Sequence, residues 1–213
     1  MPEIIDIFDA NRVAIGTKER GAAHRDGDWH QTFHCWIAGT HANSDFLLLQ
    51  LRSQAKKNYP NMVDITAAGH LQSGESPEDG VRELAEEIGV EVLSSNLRYL
   101  GIKHDISDEV NGSRNREFAH VFLLRDDRPL DRYKLQEDEV AGLVELPLTQ
   151  GLEMFAGLRD EVLCKTMRQD GGQKTEGQRL LRTVDLIPRV DSYYLKTCIM
   201  ADLFLRGAPF LSI

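Results

Sequence analysis

The sequence predicts an α/β fold in which strands are mixed with a few helices. Three observations lead to this prediction: short apolar runs occur in pairs around turn residues, a segment near the middle carries the signals of a capped helix, and residues 185–206 carry an apolar stripe at helical spacing. At 213 residues the chain is long enough for one large domain, or for a domain with an extension, and it can bury a substantial core.

Most of the predicted elements are short strands of alternating or continuous apolar residues, bounded by turn residues. They cover residues 4–17 (two strands around a turn at 9–12), 32–38, 45–52, 64–68, 97–107, 117–125 and 137–146. The last of these is expected to be the final strand. Turns are predicted at residues 41–44 and at Asn111-Gly112, and the polar, basic segment 53–61 is expected to be a loop.

The C-terminal part of the chain is expected to be mainly helical. Residues 148–159 predict a helix, and residues 170–178, rich in Gly, Gln and Lys, predict a mobile loop. The stripe in residues 185–206 consists of Tyr194, Leu195, Cys198, Ile199, Leu203 and Leu205. We therefore expect one domain over residues 1–160 and a helical extension over 161–213 packed on it. Contact with a second copy in a homodimer is the alternative use of the stripe.

Composition excludes several classes of function and partner. The net charge of −9 argues against a general nucleic-acid binder, which needs a basic surface. No apolar run is long enough to cross a bilayer, and the acidic start does not resemble a signal peptide. Three widely spaced cysteines, Cys35, Cys164 and Cys198, argue against a disulfide framework. These observations predict a protein of the cytoplasm that binds neither membrane nor nucleic acid.

The most informative segment is residues 69–90, GHLQSGESPEDGVRELAEEIGV. It predicts a helix over residues 77–88, with Ser76 as its N-cap, Asp79 acting back on the cap, and Gly89 as the left-handed residue that ends it. The apolar face of this helix is predicted to consist of Val81, Leu84, Ala85 and Ile88.

Three glutamates lie close together on the same predicted helix. Glu83, Glu86 and Glu87 are three and four residues apart, so they share one face and repel one another. A divalent cation such as Mg²⁺ or Mn²⁺ would neutralise them and could also bind the phosphates of a substrate. The alternative is a solvated acidic face paired with Arg82, but the glycine-rich loop before the helix favours the metal site.

This segment resembles the Nudix box. The matching residues are Gly69, Glu75, Arg82, Glu83, Leu84, Glu86, Glu87, Gly89 and Val90. One residue is missing between Glu75 and Arg82, so the loop must be tighter there. The resemblance implies a Nudix fold, a mixed sheet sandwiched between helices (α/β/α), with the C-terminal helical extension added. It also implies metal-dependent hydrolysis of a small diphosphate linked to another group.

Residues 4–122 also resemble type I isopentenyl-diphosphate isomerase and its Nudix hydrolase relatives. His24, His30 and His70 take the places of three histidines that bind the isomerase's metal, and Glu117 takes the place of one of its two later glutamates. Ala68 stands where the isomerase has its catalytic cysteine. Because alanine cannot move a proton at carbon, this difference favours phosphorus chemistry.

The expected site combines these observations. Catalysis is assigned to Glu86, Glu87, Glu83 and Arg82, and metal binding to Glu83, Glu86, Glu87, Gly69 and His70. Substrate binding is assigned to Arg52, Lys56, His24, His30 and Glu117. His34 is expected to be structural. The general base stays open among Glu117, Glu137 and Glu139.

The leading hypothesis is a hydrolase, dependent on Mg²⁺ or Mn²⁺, that cleaves the diphosphate of a nucleoside or other X-linked diphosphate. The second is an isomerase of prenyl diphosphates, motivated by the histidines and opposed by Ala68. The third is a module that binds a diphosphate without cleaving it. The sequence leaves the group beyond the diphosphate open.

Overall fold

A computed structural model describes residues 2–108 and 112–213 of the chain. The strands are β1 Ile4–Phe8, β2 Ala14–Glu19, β3 Trp29–His41, β4 Ser44–Arg52, β5 Val63–Asp64, β6 Ala67–His70, β7 Arg98–Asp108, β8 Arg114–Arg125, β9 Val140–Pro147, β10 Glu161–Asp170 and β11 Gln173–Arg182. The helices are α1 Arg20–Asp26, α2 Arg82–Ile88, α3 Leu148–Phe155 and α4 Tyr193–Leu205. Asn111 of the predicted turn lies outside the described residues.

The strands form one mixed sheet with β3 at its centre. One edge of β3 runs parallel to β8, from the pair His30–Glu117 to the pair Ala38–Arg125. The other edge is shared by three antiparallel strands: β1 beside the start of β3, β6 beside its middle and β4 beside its end. The first half of β3 is therefore flanked by β6, which carries Gly69 and His70 of the predicted site, and by the start of β8, which carries Glu117.

Helices cover both faces of this sheet, as the α/β/α prediction requires. Trp36 of β3 packs in one apolar cluster with residues of α3 and α4, whereas Cys35 and Ile37 pack in another with α2. Successive side chains of a strand point to opposite faces, which explains the division. The predicted mixed sheet between helices, with a C-terminal helix, is confirmed.

The predicted loop over residues 170–178 is wrong, and so is the prediction that residues 137–146 form the last strand. β10 and β11 pair along their whole length and extend the sheet beyond β9. Gly171 and Gly172, both at positive φ, make the tight turn between them. The segment 161–213 is thus a hairpin followed by a helix, rather than a wholly helical extension.

The C-terminal helix buries a different stripe from the one predicted. Tyr194 and Cys198 are buried as expected, but Ile199 is exposed, and Tyr193 and Ala201 complete the buried face. α3 is also shorter than predicted, because it ends at Phe155. None of the helices in the described parts of the chain is long and apolar enough to span a membrane.

Candidate active site

The helix with the glutamates begins later than the sequence predicts. A 3₁₀ turn, Asp79–Val81, precedes α2, which starts at Arg82. The backbone N–H and the hydroxyl of Ser76 both donate to Asp79 Oδ2 at 2.8 Å. The predicted interaction of Asp79 with Ser76 is therefore present, but Ser76 does not cap an α-helix. The tighter turn suits a loop that is one residue short. Gly89 ends the helix at a φ of 69°, as predicted.

The predicted apolar face of this helix is correct except at Ala85. Leu84 and Ile88 are buried, whereas Ala85 is exposed and Glu87 is buried in its stead. α2 therefore turns a carboxylate, rather than a methyl group, towards the protein interior. Burial of a carboxylate is costly unless a partner or a cation compensates it.

Arg82 links the loop to the glutamates. Its Nε and Nη2 atoms donate to the two carboxylate oxygens of Glu75 at 2.8 and 3.0 Å. Its Nη1 atom donates to Glu83 at 2.5 Å and to Glu86 at 3.3 Å, and Nη2 also donates to the carbonyl oxygen of His70 at 2.9 Å. Arg82 thus orients the acidic side chains, and Glu75 is its bidentate partner despite the shortened loop.

The three box glutamates, Glu83, Glu86 and Glu87, lie in different surroundings. The side chain of Glu86 is 54% exposed, whereas Glu87 is 5% exposed. Burial, followed by the charge of Glu83, raises the pKa of Glu87 to about 8. Burial also raises the pKa of Glu83, although Arg82 opposes this effect. A divalent cation beside these carboxylates would favour their ionised forms.

Strand β6 lies against the buried Glu87 and the half-buried Glu83 from the other side. The N–H of Ala68 donates to Glu87 Oε2 at 3.2 Å. A Cβ atom on Gly69 would lie 2.1 Å from the carboxyl carbon of Glu83, so any side chain at this position would displace the Glu83 carboxylate. The glycine that opens the box therefore makes room for a carboxylate against the backbone.

A second group of side chains converges beside β6. The ligand atoms of His24, His30, His70 and Glu117 lie within 4.8 Å of one another, and we call this group the histidine cluster. The Nε2 atoms of His30 and His70 are 3.7 and 3.8 Å from Glu117 Oε1, and the Nε2 atoms of His24 and His70 are 3.3 Å apart. The four residues come from α1, β3, β6 and β8.

Backbone contacts turn the imidazoles of the histidine cluster towards its centre. Nδ1 of His24 lies 2.8 Å from the carbonyl oxygen of Arg20, and Nδ1 of His30 lies 2.9 Å from that of Asp28. A carbonyl oxygen only accepts, so each Nδ1 carries the proton and each Nε2 presents a lone pair. The buried Nε2 of His30 has no hydrogen-bond partner among the described residues. Burial lowers the pKa of His24 and of His70, which favours the neutral rings that bind metals.

Among the residues that the structure describes, the box glutamates do not form a group as compact as the histidine cluster. The one other compact group consists of His34, Asp105 and Glu117, so Glu117 belongs to both. Substrate binding was the expected role of His24, His30 and Glu117. Their geometry beside His70 instead matches the ligand role that the isomerase resemblance implies.

The box glutamates and three members of the histidine cluster, His24, His70 and Glu117, line one cleft of about 1570 Å³. Arg52 and Lys56 line the cleft as well, but each forms an ion pair with a carboxylate. Arg52 Nη1 lies 3.3 Å from Asp64, and Lys56 contacts Glu139. Arg52 also donates to the carbonyl oxygens of Asn58 and Tyr59, which ties down the loop after β4. The cleft therefore has an acidic wall on α2 and a basic loop that approaches it.

Two residues that the sequence did not predict for the site lie at the inner end of the cleft: Arg189 lines it, and the buried Tyr193 lies behind His34. Arg189, which precedes α4, contacts Asp105 and lies 2.9 Å from Asp64. Tyr193, at the start of α4, lies with its hydroxyl 3.1 Å from Nδ1 of His34. No local motif marks these residues, because each contact joins segments far apart in the chain. His34 is buried, as a structural residue would be, but it also lines the cleft.

The sequence and the fold are similar to those of known proteins. Residues 28–165 match the family model described as NUDIX domain. An uncharacterised Nudix hydrolase of Clostridium acetobutylicum is 37% identical over 196 residues, which cover 90% of this chain and 93% of that protein. The isopentenyl-diphosphate Δ-isomerase of Escherichia coli O139:H28 is 32% identical over 140 residues, which cover 65% of this chain and 73% of the isomerase.

Among solved structures, DR0079 from Deinococcus radiodurans has a similar fold. It aligns with a TM-score of 0.56 and 22% identity, and the alignment covers 73% of this chain and 90% of that one. At this identity the likeness concerns the fold alone.

Proposed function

Because the chain belongs to the Nudix family and is a hydrolase acting on diphosphate bonds, we propose that it cleaves a small X-linked diphosphate with Mg²⁺ or Mn²⁺ bound in its cleft. The observation that carries the proposal is the pair of carboxylates that α2 directs inward, the buried Glu87 and the half-buried Glu83. Glu83 and Glu87 line the cleft, and the buried Glu87 has no cation in contact to offset its charge among the described residues. A divalent cation fits that donor set.

Each residue has a defined part in this proposal. Glu83 and Glu87 would hold the cation, and Glu86, more exposed, would approach it from the solvent side. The bound cation would polarise a phosphoryl group and make a water more acidic. Arg82 positions Glu83 and Glu86, whereas Lys56 lies on the loop that faces an incoming phosphate.

The histidine cluster fits a second cation. Three imidazoles with a carboxylate suit a transition ion such as Mn²⁺ better than Mg²⁺, which prefers oxygen ligands. This assignment is supported by the Nε2 lone pairs of His24 and His30. The buried Nε2 of His30 also has no hydrogen-bond partner among the described residues. Glu117 would then be a metal ligand, which leaves Glu139, on the loop facing the cleft, as a candidate general base.

Substitution of the box glutamates tests the proposed function. In Glu87→Gln and Glu86→Gln, phosphate release from a panel of diphosphates with Mg²⁺ or Mn²⁺ should fall, and the buried Glu87 should matter more. The loss expected for Glu87→Gln is about 100-fold or more. Glu91→Gln makes the same chemical change at an exposed position outside the cleft and should retain activity.

Two results would contradict this proposal. Undiminished turnover in both variants would exclude the assigned roles of Glu86 and Glu87. Thermal stabilisation by a diphosphate without any product, in the wild-type protein with metal, would instead support a binding module.

Isomerisation of a prenyl diphosphate is the second candidate. The 32% identity to the isomerase and the histidine cluster favour it. Ala68 opposes it, since its methyl group cannot carry a proton and its backbone N–H is occupied by Glu87. Incubation with isopentenyl diphosphate and Mg²⁺ plus Mn²⁺ should yield no allylic isomer; robust formation of that isomer would reverse the ranking.

We also propose that the protein works in a reducing compartment, the cytoplasm. Cys35, Cys164 and Cys198 are free and buried, which suits such a compartment. Measurement of free thiols in protein purified without reductant tests this, with all three expected to react after unfolding.

A further inference from the structure

We propose that the inner end of the cleft recognises the group attached to the diphosphate by hydrogen bonds, and that His34 is its specificity-determining residue. The inference rests on the proposed function and names its substrate class: a group rich in hydrogen-bonding atoms, such as a nucleoside, rather than a prenyl chain. We call this end of the cleft the inner subsite, formed by His34 and Asp105 and supported by Tyr193 and Arg189.

The inner subsite adjoins the region where a diphosphate would bind. Glu117 belongs both to the histidine cluster and to the compact group with His34 and Asp105, within 4.8 Å in each case. His30 and His34 lie four residues apart on β3 and therefore point to the same face of the sheet. A molecule with its phosphates at the histidine cluster would thus extend its next group along β3 towards His34.

A chain of hydrogen bonds fixes which nitrogen of His34 carries the proton. Trp36 Nε1, which can only donate, lies 2.9 Å from the hydroxyl of Tyr193. That hydroxyl accepts from Trp36 and so keeps its own proton for Nδ1 of His34, at 3.1 Å. Nδ1 is then an acceptor, and Nε2–H is the donor left for a ligand.

Asp105 supplies an acceptor beside this donor, and the C-terminal segment holds it in place. Arg189 contacts Asp105, and Lys103 Nζ lies 3.2 Å from it. Arg189 also pairs with Asp64 at 2.9 Å, so its charge is already shared by two carboxylates. Arg189 is therefore a positioning residue for Asp105 rather than a phosphate ligand.

A neighbouring donor and acceptor match the edge of a nucleobase or the hydroxyls of a sugar. A hydrocarbon placed there would remove both groups from water without replacing their hydrogen bonds, which penalises a prenyl chain. Arg189 and Tyr193 lie beyond residues 28–165, the part that matches the family model. The chain thus completes the subsite with residues from outside that region.

The test compares two diphosphates, each of which releases inorganic phosphate when it is cleaved. One is whichever of the four common nucleoside diphosphates is cleaved best, and the other is geranyl diphosphate. The wild-type enzyme should prefer the nucleoside compound. In His34→Leu the ratio of the two kcat/KM values should fall about tenfold or more, mainly through KM for the nucleoside compound. His34→Gln restores an N–H donor near the position of Nε2 and should recover most of the wild-type preference for the nucleoside compound.

Two further variants serve as controls. His104→Leu makes the same change on β7, at an exposed position outside the cleft, and should keep the wild-type ratio. Tyr193→Phe removes only the hydroxyl that orients His34 and should lower the ratio by less than His34→Leu does. It also keeps the question open to experiment if His34→Leu fails to fold.

An unchanged ratio in folded His34→Leu and Tyr193→Phe, or a wild-type preference for geranyl diphosphate, would overturn the inference. If the wild-type protein cleaves neither compound, the panel of diphosphates decides the proposed function, and binding decides the inference. Calorimetry with methylene-bridged ADP should then show weaker binding to His34→Leu than to wild type; equal affinities would contradict the role of His34.

Discussion

The box glutamates and most of the histidine cluster line the same cleft, but the chain assembles the two groups in opposite ways. All three glutamates lie on one short helix, so their spacing alone brings them together. The histidine cluster takes one residue from each of four elements, α1, β3, β6 and β8. The acidic half of the site is therefore encoded locally, whereas the imidazole half exists only when the sheet has formed.

The two halves also differ in how they are held. Two of the three glutamates, Glu83 and Glu86, depend on one side chain, Arg82, which also binds Glu75. The imidazoles of His24 and His30 are instead held by backbone carbonyl oxygens. One substitution should thus disturb the acidic half broadly, whereas each ligand of the histidine cluster can be removed singly.

The largest effect is expected for Arg82→Lys. Lysine keeps the charge but loses the planar fork that binds Glu75 through two nitrogens. The box glutamates should shift, and kcat with Mg²⁺ should fall about 100-fold, as is typical for misplacement of reacting groups. Arg98→Lys, at an exposed position on β7, is the matched control. Wild-type kcat in Arg82→Lys would show that the acidic half does not depend on this residue.

A smaller and more selective effect is expected for His70→Ala. Loss of one imidazole should weaken Mn²⁺ binding at the histidine cluster by at least about tenfold. Mg²⁺ affinity should change less, because the box glutamates remain. Calorimetric titrations with each ion, in protein stripped of metal, measure both changes. Equal losses for Mn²⁺ and Mg²⁺ would mean that the two halves hold one shared ion.

The smallest effect is a gain in stability. Burial raises the pKa of Glu87 to about 8, above its ordinary value of 4.5. The folded protein favours the protonated form of Glu87. The resulting contribution to the free energy of unfolding is complete below about pH 4.5 and is lost as the pH rises through about 8. Glutamine stays neutral, so metal-free Glu87→Gln should melt a few degrees above wild type at pH 9.

Thermal unfolding in EDTA at pH 5 and pH 9 measures this difference, which should be small at pH 5. A wild-type protein that melts at or above the temperature of Glu87→Gln at pH 9 would show that the ionised carboxylate is compensated without metal.

The sequence predicted the acidic half of the site because its signals are short-range. Gly89, at the end of the helix, and the glutamate spacing can be read from neighbouring residues. The contact between Ser76 and Asp79 was also predicted, but not the 3₁₀ turn that follows it and delays the start of the α-helix. Arg189 and Tyr193 were missed because their partners Asp64 and His34 lie more than a hundred residues away.

The hairpin of β10 and β11 escaped prediction because of its position. β11 is an edge strand with most side chains in solvent, so it shows little alternation of apolar and polar residues. Gly171-Gly172 is a strong turn signal, but in a polar segment it was read as part of a loop. An edge strand is thus predicted better by its turn than by its hydrophobicity.

Strand β6 gives the two halves of the site a thermodynamic link. Three successive residues of β6 each contact a different part of the site. Ala68 contacts Glu87, Gly69 lies against Glu83, and His70 belongs to the histidine cluster. The carbonyl oxygen of His70 also accepts a hydrogen bond from Arg82. The strand cannot move to suit an ion in one half without altering the other. A metal ion bound in one half would therefore change the metal affinity of the other, with equal coupling in both directions.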